Sequence, residues 1–381
     1  MRVLYWTHSF WPNIGGVEVL SLEFLPALRA RGHEFCIVSA DGPEGAPLVG
    51  EFAGMPIHRL GLARALARRD AKAMLALGNA VLRIKREFEP DLVHVLYCDP
   101  SVLFHMNTAV KHPAPSLLTI YAFLESVSDG ASLQSQALRS ADWVVAPSTA
   151  ILDAARRQVP EIALRSGVLH PSTSEAPAAE QPPLCFDPPR LACVGRLARD
   201  KGFDLAVRAL AEVIRRYPSA RLCLAGDGPE RASLAALATR LGVAHAVDFP
   251  GWSDRSAQLA RVFDLISNST IIVVPSRWME PFGLAALHAA QCGRPVVASR
   301  TGGLLDIVED GVTGLLVERE DAAGLASAIC ALLSGPDRTR EMGLAARRRA
   351  AGRFAWEPFV VAHDTLYRRL GERRLPTAGR A

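Results

Sequence analysis

Short apolar runs recur along the chain, separated by longer segments whose apolar residues return every three to four positions. The runs at 2–6, 35–39, 57–60, 92–96, 116–120, 142–146 and 167–169 show little polar alternation, the pattern of strands buried on both faces. Between them, helical spacing predicts helices near 71–88, 101–112, 131–140 and 149–157. Val17, Leu20, Phe24 and Leu28 predict a further helix over 17–31, kinked at Pro26 and stopped by Gly32. The same grammar resumes at 191–194 and continues through helix 203–216, strand 220–225, a helix to about 241 and strand 247–249. Helix 254–263, strand 271–274, helix 284–292, strand 295–298 and strand 314–317 follow. Helices over 321–334, 337–352 and 356–371 close the pattern. Alternating strands and helices of this kind predict α/β architecture with doubly wound parallel sheets.

Residues 171–190, PSTSEAPAAEQPPLCFDPPR, lack periodicity and are rich in proline and alanine. They divide the chain into a first domain over 1–172, a linker over 173–189 and a second domain over 190–354. A length of 381 residues suits two domains. With 49% hydrophobic and 22% charged residues the composition is that of a globular protein. The net charge of +4 is a mild basic excess without aromatic–basic interleaving, which argues against a nucleic-acid partner. Seven cysteines include no Cys-x-x-Cys pair, so reduced thiols are expected rather than a zinc site or disulfides. The first residues enter a strand directly, and no apolar run has the length of a signal peptide or of a spanning helix. A cytoplasmic location is the resulting expectation. Residues 61–86 form a basic helical region in which Arg64, Arg68 and Lys72 fall at i, i+4 and i+8, joined by Arg69, Arg83, Lys85 and Arg86. Two readings fit it: a solvated helix face, or an interfacial patch in peripheral contact with anionic lipid on the inner face of a membrane.

The chemistry collects in loops that follow strands. After 271–274 the chain turns through Glu280-Pro281-Phe282-Gly283 into a helix. Pro281 suits a helical first turn. The amides of Phe282, Gly283 and Leu284 would then face the same crevice as the Glu280 carboxylate, a pairing suited to a sugar phosphate. After 191–194, Arg196 and Lys201 lie between Gly195 and Gly202 and offer two positive charges for a diphosphate without a metal. No Asp-x-Asp pair ends a strand, so no metal site is expected. Gly15-Gly16 in the first domain and Gly302-Gly303 in the second let backbone approach a ligand closely. Gly226-x-Gly228 lacks the third glycine of a dinucleotide fingerprint.

As a set, Pro12-x-x-Gly15-Gly16-Val17-Glu18, Gly195-Arg196-Leu197 with Lys201-Gly202, Gly226-Asp227-Gly228-Pro229, Pro275-Ser276, Glu280-Pro281-Phe282-Gly283-Leu284, Gly293-x-Pro295-Val296-Val297-Ala298 and Gly302-Gly303 resemble the family-4 retaining glycosyltransferases. The resemblance implies a GT-B fold: two Rossmann-like doubly wound domains facing each other across a deep cleft, the first binding acceptor and the second nucleotide sugar. A last helix, 355–372, would pack back on the first domain. It implies that Gly15 and Gly16 reach the donor diphosphate and that Arg196 and Lys201 hold it and stabilise the departing charge. Glu280 would accept from donor-sugar hydroxyls, supported by the amides of Phe282, Gly283 and Leu284. No cofactor is implied; a nucleoside-diphosphate sugar is the co-substrate, and a glycan or lipid-linked carbohydrate is the acceptor.

The chain departs from the family pattern at four places. His288 stands where a second glutamate holds ribose hydroxyls, and an imidazole accepts one hydrogen bond where a carboxylate accepts a diol. Tyr121 stands where a histidine orients donor sugar or acceptor, with Glu125 as a nearby substitute. His170-Pro171-Ser172 replaces an Asn-Gly turn, and Asp306 a glutamate. The resulting expectation is a retaining, metal-independent hexosyltransferase of surface polysaccharide or lipopolysaccharide assembly. The alternative is a catalytically impaired nucleotide-sugar-binding or scaffold protein of the same fold.

Overall fold

The computed structural model describes residues 1–13, 15–40, 42, 47–97, 99–121, 132–174, 181–251 and 258–372. They form two compact units, Met1–Ser172 with Trp356–Ala381, and Thr173–Ala355. The first unit runs β1 (Arg2–Thr7), α1 (Gly16–Arg29), β2 (Glu34–Ser39), β3 (Val49–Phe52), β4 (Met55–Arg59), α2 (Leu62–Arg68) and α3 (Ala71–Phe88). It continues with β5 (Leu92–Leu96), α4 (Val102–Ala109), β6 (Ser116–Thr119), α5 (Leu133–Ser140), β7 (Trp143–Ala146), α6 (Thr149–Gln158) and β8 (Ser166–Val168). Among the described residues these strands make an eight-stranded sheet in the order β3-β4-β2-β1-β5-β6-β7-β8. Val3, Leu4 and Trp6 are buried on both faces of β1, as the unbroken apolar run requires. The order reverses between β1 and β5: the chain moves outward through β2 and β4, then returns to the other side of β1.

The sheet is not wholly parallel. β3 pairs antiparallel with β4, Val49 opposite His58. Half-exposed and four residues long, it carries no apolar run for a sequence pattern to show. α1 continues through Pro26, whose carbonyl still accepts from the Ala30 N–H at 3.0 Å.

The second unit runs β9 (Arg190–Val194), α7 (Phe203–Arg216), β10 (Arg221–Ala225), α8 (Arg231–Arg240), β11 (Val247–Asp248), α9 (Gln258–Ser267), β12 (Ile271–Val274) and α10 (Leu284–Gln291). β13 (Val296–Ser299), α11 (Leu304–Ile307), β14 (Gly314–Val317), α12 (Ala322–Ser334) and α13 (Pro336–Arg353) complete it. Its parallel sheet has the order β11-β10-β9-β12-β13-β14, so the reversal here falls between β9 and β12. Leu191, Leu222 and Ile271 of the sheet pack with Val207 and Leu210 of α7 and Ile329 of α12 in one core. The stretch expected to be a free linker is partly committed to this unit. Phe186 packs on its core, the Ser219 hydroxyl donates to Asp187 at 3.1 Å, and the Thr270 hydroxyl donates to the Cys185 carbonyl.

The last helix, α14 (Trp356–Gly371), belongs to the first unit. Its Tyr367 hydroxyl lies 2.6 Å from His94 Nδ1 in β5, and its Asp364 carboxylate 2.7 Å from His33 Nε2. Phe359 and Phe24 meet ring to ring at 5.4 Å.

The basic region 61–86 is two helices, not one. Arg69 takes a left-handed φ of +51° and the Asp70 side chain caps α3, accepting from the Ala73 N–H at 2.9 Å. The break removes the continuous stripe of Arg64, Arg68 and Lys72. Lys85 is not on a solvated face either. It is 1% exposed, and its Nζ lies 3.2 Å from His105 Nδ1 and 3.3 Å from the His105 carbonyl. Burial pulls the Lys85 ammonium down to about 7.

This site sets a pH dependence. Below pH 7 lysine is charged folded and unfolded, and the fold carries the cost of burying it. Above pH 7 the folded chain releases a proton that the unfolded chain holds to about pH 10, so stability rises by about 1.4 kcal/mol per pH unit. Chemical denaturation at pH 7 and pH 9 should show this gain in the wild type relative to Lys85→Met. Identical pH responses in the two proteins would count against a buried neutral amine.

Candidate active site

In open α/β sheets the crevice lies at the carboxyl ends of the strands where the order reverses. In the second unit that is the end of β9 and β12, where Arg196–Lys201 and Ser276–Gly283 stand. Lys201 Nζ donates to Glu280 Oε1 at 2.6 Å, and the Ser276 hydroxyl donates to the same oxygen at 2.6 Å. The Glu280 side chain is 7% exposed and that of Lys201 23%. Both bonds use Oε1, which leaves Oε2 without a partner among the described residues. The ammonium has three N–H bonds and gives one to Glu280, so two remain for another anion. Lys201 Nζ also sits 5.3 Å from the centre of the Trp278 ring, a cation–π contact.

Close backbone contacts hold this arrangement. Gly302 has φ +53°, and a Cβ there would lie 2.1 Å from the Glu280 carbonyl oxygen. The neighbouring Gly303 N–H donates to that carbonyl at 2.7 Å. Gly202 caps α7 at φ +66°, and a Cβ on it would lie 2.1 Å from the Pro275 carbonyl oxygen. The two glycine loops thus press on either end of the segment that carries Glu280.

Arg277 ties the same segment to the Lys201 loop. Its N–H donates to the Asp200 carbonyl at 2.8 Å, its Nη2 to Asp204 Oδ2 at 2.8 Å and its Nε to Glu320 Oε1 at 2.7 Å. The hydrogen bond to Asp204 raises the guanidinium well above its usual range, with Glu320 adding to it. Burial pushes the Asp204 carboxyl up, but the Arg277 hydrogen bond and charge outweigh it and leave Asp204 below its usual range.

Arg196 stands at the same strand end but does not join Lys201. Its side chain is 63% exposed and its Nη2 donates to Asp200 Oδ2 at 3.2 Å. An exposed pair of this kind contributes little, so the guanidinium can exchange Asp200 for a stronger anion. Pro281 is not in a helical first turn. α10 begins at Leu284, and Gly283 caps it at φ +113° because a Cβ there would meet Leu304 Cδ2 at 2.7 Å. The N–H groups of Gly283 and Leu284 have no partner among the described residues. The Phe282 side chain turns inward, its ring 5.6 Å from that of Phe354.

His288 lies one turn into α10 and is 6% exposed. Its ring is 4.9 Å from that of Phe263, its Nε2 is buried without a partner, and burial pulls the imidazole down to about 4. It is therefore neutral at physiological pH. Asp306 lies in α11 and its backbone carbonyl accepts from Arg349 at 3.0 Å. In the first unit, Gly15 caps α1 and Gly16 is its first residue, while Tyr121 follows β6. Glu125 lies outside the described residues.

Ser276, Trp278 and the Arg277–Asp204–Glu320 group carry the site without having been assigned roles from the sequence. Ser276 had a local signal, a hydroxyl four residues before Glu280 at a strand end. The Arg277 partners are 43 and 73 residues away, beyond any local pattern.

The chain as a whole has counterparts among known proteins. Residues 179–349 match the model for glycosyl transferases group 1, and residues 14–165 the model for glycosyltransferase family 4. The chain belongs to the family-4, group 1 glycosyltransferases, of GT-B fold. It is 32% identical over 322 residues to the glycogen synthase of Mycobacterium tuberculosis, covering 77% of this chain and 74% of that one. Among solved structures it is similar to the sucrose-phosphate synthase of Thermosynechococcus elongatus, with TM-score 0.79, 25% identity and coverage of 97% and 99%. It shares its fold with Anabaena HepE, solved in complex with UDP-glucose, with TM-score 0.71, 19% identity and coverage of 97% and 98%.

A Cβ at residue 302 has no room, whereas at Gly311, φ +78°, it meets nothing within 4 Å. Gly302→Ala should lower glycosyl-transfer turnover by about a hundredfold or more if the Glu280 segment it would displace holds reacting groups. Gly311→Ala should cost only about 1 kcal/mol of stability, for its left-handed backbone, and leave turnover unchanged. Equal turnover in the two variants would remove the glycine bracing from the site.

Proposed function

We propose that this glycosyltransferase moves a hexose from a nucleoside-diphosphate sugar to a carbohydrate or lipid-linked acceptor with retention at the anomeric carbon and without a metal. The observation that carries the reading is the shared Oε1 of Glu280. With Lys201 and Ser276 both on one oxygen, the other is a fixed acceptor for donor-sugar hydroxyls. The two remaining Lys201 N–H bonds, with Arg196 released from Asp200, neutralise the diphosphate as it leaves. The amides of Gly283 and Leu284, at the positive end of α10, support the sugar or phosphate. No cofactor takes part. Catalysis then comes from positioning and electrostatics, the leaving phosphate taking the acceptor proton as the new bond forms on the same face. The UDP-glucose bound to HepE supports a uridine donor as the first to test.

His288 bears on the nucleoside end. A neutral imidazole without a partner fits a hydrogen bond to ribose better than an ion pair. α2 and the start of α3 carry exposed Arg64, Arg68, Arg69 and Lys72 beside Leu75, 70% exposed, which supports peripheral contact with anionic lipid. No helix among the described residues is long and apolar enough to cross a membrane. A role in surface polysaccharide or lipopolysaccharide assembly accords with such a surface.

Nucleotide release from a panel of nucleotide sugars tests the reading. One donor should be turned over, and Glu280→Gln or Lys201→Met should each lower the rate by about a hundredfold or more. Donor binding without hydrolysis or transfer across the panel would instead support a scaffold protein. Sedimentation with phosphatidylglycerol and phosphatidylcholine vesicles tests the lipid contact. Binding to the anionic vesicles should be lost when Arg64, Arg68, Arg69 and Lys72 are all changed to glutamine.

A further inference from the structure

Three buried histidines meet where α14 lies on the first unit: His33 just before β2, His94 in β5 and His363 in α14 itself. The His94 and His363 rings are 6.4 Å apart, and each stands edge-on to the Tyr367 ring, at 5.5 and 6.4 Å. His33 meets the same ring at 5.4 Å. Phe24 of α1 and Phe359 of α14 close on His363 at 4.7 and 4.6 Å. Both nitrogens of His94 are engaged, Nδ1 with the Tyr367 hydroxyl at 2.6 Å and Nε2 with the Thr119 hydroxyl at 2.8 Å. His363 Nδ1 donates to the Phe359 carbonyl at 3.0 Å. His33 Nε2 donates to Asp364 at 2.7 Å, and its Nδ1 is buried without a partner.

Fixed charge stands at the rim of this cluster, on the His33 side. Asp364 and Arg368 of α14 act on His33, as does the amino terminus of Met1, which donates to the Gly32 carbonyl at 3.0 Å. The one charge that bears on His94 among the described residues is that of His363. Burial raises the phenols of Tyr5 in β1 and of Tyr367, so both stay neutral; Tyr121 bears on both phenols and Glu18 of α1 on Tyr5, not on a histidine. A proton on His94 or His363 would therefore sit among rings with a second imidazole as neighbour and no carboxylate to meet it. On His33 it would create a buried N–H at Nδ1 with no acceptor. Burial pulls all three imidazoles below the usual histidine range, His363 to about 4.

We propose that α14 is an acid-released latch: it docks while these three imidazoles are neutral, and proton uptake by them frees it from the first unit. The chain passes between its units twice, at 172–173 and at 355–356, so release leaves one crossing to tie the first unit to the second. Because burial lowers these imidazoles, docking has its full strength above about pH 6.5, the usual histidine value, and weakens as the pH falls below it. His94 and His363 each change the undocked population by about tenfold per pH unit, together about a hundredfold, and His33 acts in the same direction. A 16-residue helix on its own is marginal in water, so the amides of an undocked α14 exchange with solvent. Hydrogen exchange on the full chain, read by mass spectrometry and corrected for the intrinsic rate, should show the protection of α14 falling about a hundredfold or more between pH 6.5 and 5.5. Protection of α12 in the second unit should hold over the same interval. In His363→Phe, and separately in His94→Gln, the fall should be about tenfold smaller, with circular dichroism at pH 7.5 verifying that each variant folds. Equal protection of α14 at the two pH values, loss of α12 protection together with that of α14, or an unchanged pH response in the folded variants overturns the proposal.

Discussion

A carboxylate taken out of water needs a counter-charge or a proton, and Glu280 has Lys201 at 2.6 Å. Much of the second unit serves that one pair. The loop after β9 must deliver an ammonium to the loop after β12, so the two strands must be neighbours, and the reversal of the sheet makes them so. The segment between β12 and α10 must then hold one shape. Glycine loops 202 and 302–303 press on its backbone where no side chain fits, and Arg277 ties it to Asp204 and Glu320. The geometry is over-determined, which suits a site that must be ready before its ligand arrives.

The two units use the same topological device with different side chains at it. In the second, the strand ends at the reversal present Lys201, Arg196 and helix-end amides beside Glu280 and Asp200. In the first, they present carboxylates, phenols and imidazole. Fold does not dictate that difference, because both sheets reverse at a central pair of parallel strands; the loops do.

Most strands and helices were legible because parallel sheets bury both faces and leave unbroken apolar runs. β3 was not, since an exposed four-residue edge strand leaves no such run. The break between α2 and α3 was hidden because its residue at positive φ is Arg69 rather than glycine. Lys85 reads as a surface charge in sequence, and only the packing of α3 on α4 shows it to be buried beside His105. Glu280, Lys201 and the glycines were legible from strand-end position and from the family motifs. Their mutual geometry was not. Neither the shared Oε1 nor the Asp200 partner of Arg196 follows from spacing, and the Arg277 network joins residues far apart in the chain.

His94 in β5 bonds to a tyrosine 273 residues further on, in the helix that closes the first unit. On the ribosome, this has an order-of-events consequence. The second unit is one continuous stretch and can fold as it emerges. The first unit, though synthesised earlier, must wait for the whole of the second before α14 arrives to cover Phe24, Phe35 and His33. Until then a nascent chain displays an uncapped apolar face, the state in which translation pausing or chaperone capture has most effect on yield.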